Sequence, residues 1–186
     1  MTVRSERTRN AIKDALLALL EISDLNEITM SELARSAIIS RSSLYAHYSN
    51  VRGVFEDAVA DFGSELRPLT SQLRCGDCIS ESDAPNRPFC VALRDAGKYK
   101  AMVREPSFLP TLLNIVDERM LVEASTYPLD EGMDLARKRA LYKFQMSGCY
   151  TVALDTHPDE DWEAIQRMLD AYIRGGVSAT RGNQGR

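Results

Sequence analysis

The stretch SELARSAIISRSSLYAHY, residues 31–48, contains two short helix-like segments that meet at a tight turn, residues 38–40. Thr29 and Glu32 have the spacing of a capping box, which predicts that the first helix begins at this point. Ser40 has the side chain of a helix N-cap and can begin the second helix. Helices shorter than about 12 residues are marginal alone in water, because their nucleation is costly. These two therefore need the packing of a larger helical domain.

Most of the remaining chain also has the apolar spacing of α-helices. One stripe with intervals of three and four runs through residues 5–22, and further helices are predicted near residues 50–68, 89–103, 107–125, 130–155 and 159–174. Strand-like alternation of useful length is absent from the sequence, so the predicted fold class is all-α. The clearest irregular segment is residues 75–88, and residues 175–186 are expected to form a disordered tail.

The composition is that of an ordinary globular protein, with 44% apolar residues, 27% charged residues and a net charge of −4. The charge is uneven, because residues 1–52 contain seven basic and six acidic side chains and the remainder is acidic. No run approaches the roughly 18 apolar residues of a membrane span. The N-terminus also lacks the apolar core of a signal peptide. We therefore expect a cytoplasmic protein with no membrane partner.

The two short helices have the features of a helix-turn-helix unit. Ala34, Ile39 and Leu44 can form its small core, since a small residue lets two helices cross closely. The second helix would then enter a DNA major groove, which is about 12 Å wide. Its outward face would carry Arg41, Ser42, Tyr45, Ala46 and His47. A helical hairpin inside an α-bundle is the alternative, and the polarity of the second helix favours DNA binding.

The segment ITMSELARSAIISRSSLYAHYSNVRGVFEDAV, residues 28–59, with the helix before it, resembles the N-terminal DNA-binding domain of the TetR (tetracycline-repressor) family. The resemblance covers roughly residues 5–60 and rests on Thr29, Leu33, Ala34, Ala37, Ser40, Leu44, Tyr45, Tyr48 and Phe55. In two places the chain departs from the family pattern. Ile38 replaces the usual turn glycine, and Val51 replaces a lysine that usually contacts a phosphate. A side chain at positive φ costs about 1–2 kcal/mol, so we expect a reshaped turn or a preceding helix one residue longer.

The resemblance implies a helix-turn-helix domain over residues 1–52 and a larger helical ligand-binding and dimerisation domain over residues 53–174. It implies that double-stranded DNA with a palindromic operator is the partner, read by a homodimer. Two copies are also expected because one domain makes few phosphate contacts. The residues expected at the DNA are Thr29, Ser31, Arg41, Ser42, Ser43, Tyr45, His47, Tyr48 and Arg52.

The C-terminal half supplies candidates for a dimer interface and for an effector pocket. The interface candidates are Phe144, Gly148, Thr151, Trp162, Ile165, Leu169 and Tyr172. The pocket candidates are Phe62, Phe89, Met102, Phe108, Met120, Tyr142 and Met146. Methionine fills irregular space and adapts to varied ligands, so a small, mainly apolar effector of unknown identity is expected. Ordinary core packing is the alternative for both sets.

The cysteines offer a weaker signal. Cys75 and Cys78 form a C-x-x-C pair and Cys90 follows, so that these three, with Cys149 or His157, are weak candidates for zinc ligands. A redox pair of the thioredoxin type would need alternating strands and helices, which the sequence lacks. Reduced thiols without a metal or other cofactor are the favoured interpretation.

Motifs of catalysis are absent from the sequence, which has no Gly-rich phosphate loop and no nucleophile elbow. We therefore expect a protein that is not an enzyme. The predicted function is sequence-specific transcriptional regulation, as a repressor released by a small molecule. The alternatives are a thiol- or metal-responsive regulator on the same scaffold and a helical ligand-binding or adaptor protein that does not bind DNA.

Overall fold

A computed structural model describes residues 3–66, 88–123, 134–157 and 159–182. The α-helices of these ranges are Val3–Leu20 (α1), Met30–Ser36 (α2), Arg41–Tyr45 (α3), Val51–Ser64 (α4), Phe89–Arg94 (α5), Phe108–Glu123 (α6), Leu135–Asp155 (α7) and Trp162–Gly182 (α8). Two short 3₁₀ helices, Gly97–Tyr99 and Met102–Arg104, lie between α5 and α6. The predicted all-α fold class is confirmed. Within the described ranges, no helix is both long and apolar enough to cross a membrane.

The chain divides into two units, and the N-terminal unit comprises residues 1–63 and 96–112. Its helices contribute one apolar face each to a common core, with α1 against α2 and α2 against α3. The fully buried residues of this core include Ile12, Leu16, Leu33, Leu44, Val54, Phe55, Ala58 and Val59. This packing explains how α2 and α3, with 7 and 5 residues, remain helical.

Aromatic contacts attach residues 96–112 to the rest of the N-terminal unit. The Phe62 ring on α4 meets the Tyr99 ring edge-to-face at a centroid distance of 5.5 Å and the Phe108 ring at 5.4 Å. Such pairs contribute about 0.5–1.5 kcal/mol beyond the burial of their area. The unit therefore extends past residue 52, where the sequence suggested a domain boundary, and takes in α4 and a segment distant in sequence.

The C-terminal unit comprises residues 64–95 and 113–186, and its described core lies where α5 packs on α7. Phe89 and Leu93 of α5 and Tyr142 and Met146 of α7 are each at most 2% exposed. Burial of such side chains stabilises the unit by about 1.5–3 kcal/mol each.

Arg94 joins three parts of the C-terminal unit. Its Nη1 donates long hydrogen bonds to the carbonyl oxygens of Ala153 at 3.4 Å and Thr156 at 3.5 Å, at the end of α7. Its guanidinium also lies over the Trp162 ring at the start of α8, 4.4 Å from the centroid. A cation at a helix C-terminus is favourable because it faces the negative end of the helix dipole. Arg94 therefore holds α5 at the α7–α8 corner.

Two predicted segments differ from the structure. The helix predicted over residues 89–103 ends at Arg94, because Asp95 leaves the helical region with φ −112 and ψ 60 and Gly97 has a positive φ of 52. The tail predicted over residues 175–186 is helical as far as Gly182, and residues 183–186 lie outside the described ranges. An existing helix extends without a new nucleation step, which offsets the low helix propensity of Gly175 and Gly176.

Candidate DNA-binding site

The N-termini of α2 and α3 are both capped by side chains, as the sequence predicts. Thr29 Oγ1 accepts a hydrogen bond from the Glu32 N–H at 3.2 Å, and the Thr29 N–H donates to Glu32 Oε2 at 2.9 Å. Ser40 Oγ accepts from the Ser43 N–H at 3.1 Å. Each such cap contributes about 1 kcal/mol, which matters for helices this short.

The turn between α2 and α3 keeps its left-handed residue although that residue is isoleucine. Ile38 has φ +56, its N–H donates to the Arg35 carbonyl at 3.2 Å, and the Ile39 N–H donates to the Ala34 carbonyl at 3.0 Å. This pair of bonds is a Schellman motif, which fixes the residue after the C-cap in the left-handed region. The expectation of a reshaped turn or a longer helix is wrong, because α2 ends at Ser36. The Ile38 side chain is 91% exposed and meets no packing obstacle.

The outward face of the helix-turn-helix presents most of the predicted DNA-binding residues. The exposed ones are Thr29, Ser31, Arg41, Ser42, Tyr45 and Arg52, and the half-buried ones are Ser43 and His47. Leu44, on the opposite side of α3, is fully buried, whereas Tyr45 is 56% exposed. One buried side chain therefore anchors α3, and its polar face is open to a partner.

Arg52, near the start of α4, is close to the position where the family pattern has lysine. Its Nε lies 3.4 Å from Glu56 Oε1, one helical turn further on, and both side chains are more than half exposed. An exposed pair of this kind contributes only about 0.3–0.5 kcal/mol. The Arg52 guanidinium is therefore held weakly and is accessible to an anion.

The prediction that Tyr48 faces DNA is wrong. Its side chain is buried in the N-terminal unit, with the residue 7% exposed, and its hydroxyl donates a short hydrogen bond to Asp57 Oδ2 on α4. The Arg9 guanidinium of α1 lies 5.2 Å from the centroid of the Tyr48 ring. The ring is needed in the core below α3, so its hydroxyl bonds within the protein.

Tyr48 belongs to a group of five side chains that we call the Asp57 cluster, which consists of Arg9, Lys13, Tyr48, Asp57 and Asp61. Asp57 Oδ2 lies 3.0 Å from Arg9 Nη2 and 3.5 Å from Lys13 Nζ. Lys13 also forms an ion pair with Asp61. The Lys13 side chain is only 10% exposed, whereas the Asp61 side chain is 43% exposed, so this ion pair lies at the edge of the cluster and is partly in water.

Sequence reasoning missed the Asp57 cluster, although a signal for it exists. Arg9 and Lys13 are four residues apart on α1, and Asp57 and Asp61 are four residues apart on α4. Residues at this spacing lie on one face of a helix. Two matched pairs of opposite charge on two helices of one small domain indicate that these faces meet.

The protonation states of the cluster follow from its contacts. Burial alone would raise the pKa of the Asp57 carboxyl, but hydrogen bonds from Tyr48 and Arg9 and the nearby Lys13 charge outweigh it, and that pKa is lowered. Burial, and then the hydrogen bond to Asp57, raise the pKa of the Tyr48 phenol. At neutral pH Asp57 is therefore ionised and Tyr48 is its neutral donor.

The effector-pocket candidates are divided between the two units. Phe62, Met102 and Phe108 are buried in the N-terminal unit, whereas Phe89, Tyr142 and Met146 are buried in the C-terminal unit. The Met120 side chain lies outside what the structure describes. Each of the six described side chains is at most 2% exposed. Such burial agrees with the alternative of core packing within each unit.

Most dimer-interface candidates surround one open groove of the C-terminal unit, about 920 Å³ in volume. The groove is lined by residues of α7 and α8 that include Phe144, Gly148, Thr151, Leu169 and Tyr172. Its rims are apolar and accessible, since Phe144 is 70% and Tyr172 71% exposed. At Gly148 an added Cβ would meet no atom within 4 Å, so the backbone there is open to close approach.

Two interface candidates lie elsewhere in the C-terminal unit. Trp162 packs beneath the Arg94 guanidinium, and Ile165 is half-buried outside the groove lining. The apolar stripe of α8 therefore serves two purposes, since its first turn packs within the protomer and its later turns line the groove.

The predicted cysteine site falls mostly outside the described ranges, which include neither Cys75 nor Cys78. Cys90 and Cys149 are half-buried thiols, and Cys149 lines the groove. Among the residues that the structure describes, no three His, Cys, Asp or Glu side chains are placed to hold a metal ion.

Comparisons with known proteins give one partial sequence match and similar folds. No family model matches the chain. An uncharacterized HTH-type transcriptional regulator, YxbF of Bacillus subtilis strain 168, is 43% identical over 61 residues, which is 33% of this chain and 16% of that protein. The match therefore spans about a sixth of that relative's length.

Two solved structures have a similar fold over 92% of this chain and 97% of their own. One is NalD, the secondary repressor of the MexAB-OprM multidrug efflux pump in Pseudomonas aeruginosa, with 18% identity and a TM-score of 0.51. The other is AlkX, a TetR family repressor from Dietzia sp. strain DQ12-45-1b implicated in n-alkane biodegradation, with 16% identity and a TM-score of 0.48. The resemblance predicted over roughly residues 5–60 is confirmed at the level of the fold, since this chain shares its all-helical fold with the repressor NalD.

Proposed function

We propose that this chain is a sequence-specific DNA-binding transcriptional regulator that contacts DNA with α3. The observation that carries the proposal is the division of α3 into two faces. Leu44 is fully buried, while Arg41, Ser42 and Tyr45 are exposed on the other side. A helix of only 5 residues with such an outward face has little use as core packing. It has the size and polarity that suit a major groove.

The exposed residues divide into two kinds of DNA contact. The hydroxyls of Ser42 and Ser43 and the Arg52 guanidinium suit phosphate oxygens, which position a protein without reading sequence. Tyr45, which is 56% exposed, and His47, two residues beyond α3, have longer polar side chains that suit base edges. The 43% identity to an HTH-type transcriptional regulator, over 61 residues of this chain, supports the proposal that the chain binds DNA.

We also propose that two copies bind together through the groove of the C-terminal unit. Phe144 and Tyr172 stand exposed at its rims, and a second copy of the same apolar surface would remove both from water. Two α3 helices would then contact half-sites about one helical turn, roughly 34 Å, apart on a palindromic operator. Doubling the phosphate contacts offsets the acidic charge of the chain as a whole.

Repression is the proposed mode of action, because NalD, which shares the fold, is described as a repressor. Release from DNA is assigned to a small, mainly apolar effector. Such a ligand would act only if it bound the DNA-free form more tightly than the DNA-bound form. Phe89, Tyr142 and Met146 are packed together in the C-terminal unit at no more than 2% exposure, so the effector would have to displace this packing in order to contact them.

The proposal is tested by selecting bound sequences from random duplex DNA at moderate salt with the purified protein. Enrichment of a palindrome with half-sites one turn apart is expected. Tyr45→Ala and His47→Ala should each weaken binding to that duplex about tenfold or more, since base contacts contribute about 1–3 kcal/mol. Ile22→Ala, at an 81% exposed position of the same unit outside α3, should change nothing. Absence of enrichment at low salt, from a folded dimeric sample, would refute the proposal and favour an adaptor.

A further inference from the structure

The segment that follows α3 is attached to α4 by the carboxylate of Asp57. Tyr48 lies three residues beyond the last residue of α3, and its N–H still donates to the Leu44 carbonyl at 3.0 Å. Its hydroxyl donates to Asp57 Oδ2. Two hydrogen bonds, both made by Tyr48, therefore connect the Asp57 carboxylate to the backbone of α3. A change at Asp57 can reach α3 through the buried Tyr48 side chain.

The same carboxylate fixes α1. Asp57 Oδ2 also accepts from Arg9 at 3.0 Å and faces Lys13 at 3.5 Å, while the Arg9 guanidinium covers the Tyr48 ring. The Asp57 side chain is 23% exposed, so solvent reaches it only in part. Removing one partner of a partly buried, hydrogen-bonded charge leaves the other groups without compensation. Asp57 is thus a single point at which α1, α3 and α4 are held together.

We propose that Asp57 is a positioning residue for DNA recognition, which orients Tyr45 at the end of α3 and His47 just beyond it by holding Tyr48 and Arg9 without itself contacting DNA. This role rests on the proposed function, since it explains what fixes the orientation of the same DNA-binding face. Three of the five residues of α3 are exposed, and packing through Leu44 alone would leave the helix able to rotate about that side chain. The hydrogen bond at Tyr48 supplies a second fixed point and defines the direction of the outward face.

The sign of the expected effect separates this role from plain electrostatics. Asp57→Asn removes one negative charge from a DNA-binding unit, and charge alone therefore predicts tighter binding to any duplex. If Asp57 positions α3, the same substitution should weaken binding to the selected operator. Binding to unrelated DNA should not weaken. Asp14→Asn is the matched control, because Asp14 is an exposed carboxylate on α1 that pairs with Lys98 at 3.1 Å, away from α3.

The experiment measures affinity for the duplex recovered by selection and for a scrambled duplex of equal length and composition. All variants are compared well below their melting temperatures, with folding checked by circular dichroism. Asp57→Asn should weaken operator binding about tenfold and leave scrambled-duplex binding equal or tighter. Tyr48→Phe, which removes only the hydroxyl, should act in the same direction. The double variant should lose little more than Asp57→Asn alone, since both changes weaken the same contact between Tyr48 and residue 57.

Binding tightened on both duplexes by Asp57→Asn, as expected for Asp14→Asn, would overturn the proposal. Equal weakening on both duplexes would do so too. If Asp57→Asn does not fold, Tyr48→Phe decides, since its ring still fills the core, and operator binding equal to wild type would then overturn the proposal.

A second measurement needs no DNA and keeps the two proposals distinguishable. Hydrogen exchange of the His47 and Tyr48 backbone amides, which both donate to the Leu44 carbonyl, reports how firmly the end of α3 is held. Asp57→Asn should accelerate both amides at least tenfold and Asp14→Asn should not. If selection yields no operator but these amides respond, the DNA-binding proposal fails while the Asp57 contact stands. Unchanged exchange in Asp57→Asn would overturn the positioning role itself.

Discussion

The two units of this protein expose opposite kinds of surface. In the N-terminal unit, α3 buries its single leucine and presents arginine, serine and tyrosine side chains to solvent. In the C-terminal unit, α7 and α8 leave Phe144 and Tyr172 exposed beside an open apolar groove. A polar face with a basic residue suits a polyanion, whereas an apolar groove suits a second apolar surface. This difference supports the proposed division of roles, with DNA contact by the N-terminal unit and self-association by the C-terminal unit.

The largest expected effect tests the C-terminal side of this comparison. Phe144→Glu places a charge at the rim of the groove, where dimerisation would bury it unpaired. The dimer dissociation constant should rise about 100-fold or more, since central aromatic residues contribute about 2–4 kcal/mol to interfaces. Sedimentation equilibrium measures the change. Met168→Glu is the control, at a 63% exposed position of α8 outside the groove lining. Equal dimerisation of Phe144→Glu and wild type would contradict the assignment.

A smaller effect concerns acid stability, since among the described residues each unit contains a carboxylate that is held by two cations. Asp117 in the C-terminal unit accepts from Arg139 at 3.0 Å and Lys143 at 2.6 Å, and these contacts lower its pKa, as the contacts of Asp57 lower that of Asp57. A carboxyl whose pKa is lowered in the folded state stabilises the protein at pH values above its unfolded-state pKa, about 3.9. This stability is lost as the pH falls through the folded-state pKa. Glu105 acts oppositely, since burial raises its pKa. We expect the loss of unfolding free energy to begin below about pH 4.

Urea unfolding at pH 7, 5, 4 and 3 tests this expectation. The difference between pH 7 and pH 3 should shrink in Asp57→Asn and in Asp117→Asn, because an amide does not titrate. Each variant should also be less stable than wild type at pH 7. Curves that run parallel to the wild-type curve in both variants would show that neither carboxylate contributes to the acid response.

The smallest expected effect sharpens the N-terminal side of the comparison. Ile38 has φ +56, and this left-handed conformation costs a β-branched residue about 1–2 kcal/mol, which Ile38→Gly removes. Glycine in turn loses more backbone freedom on folding, which costs about 0.5–1 kcal/mol. A net gain of about 0.5–1 kcal/mol in unfolding free energy is expected by chemical denaturation. Ile38→Ala keeps a Cβ and should gain less. Destabilisation by Ile38→Gly would mean that the exposed side chain has a stabilising role.

Local signals in the sequence were sufficient to predict the helix-turn-helix of the N-terminal unit. The caps at Thr29 and Ser40, the burial of Leu44 and the exposure of Tyr45 all follow from spacing and side-chain chemistry within about twenty residues. The position of Tyr48 did not, because its direction depends on α4 and on a carboxylate nine residues away. A charged partner on a neighbouring helix is visible only when two helices are compared, as the pairs on α1 and α4 show.

Other differences have the same origin in non-local packing. The helix predicted over residues 89–103 gives way to 3₁₀ turns, and Tyr99 and Phe108 then pack on Phe62 of α4. Apolar periodicity predicts that residues such as Tyr99 and Phe108 are buried, but it does not predict in which unit. The apolar stripes of α7 and α8 were visible in the sequence as candidates for a dimer interface, but the groove between them was not predicted. The contact of Trp162 with Arg94 was not predicted either, since a cation over a ring leaves no periodic pattern.

The attachment of residues 96–112 to the N-terminal unit has a consequence for how this protein is made. The partners of Phe62 are synthesised only after the intervening residues 64–95, which belong to the other unit. The emerging chain therefore cannot complete its first unit in order, and an apolar ring stays uncovered during translation. The same discontinuity governs recombination between relatives. An exchange at residue 63 separates Phe62 from Tyr99 and Phe108, so a transplanted DNA-binding unit must carry both pieces to remain intact.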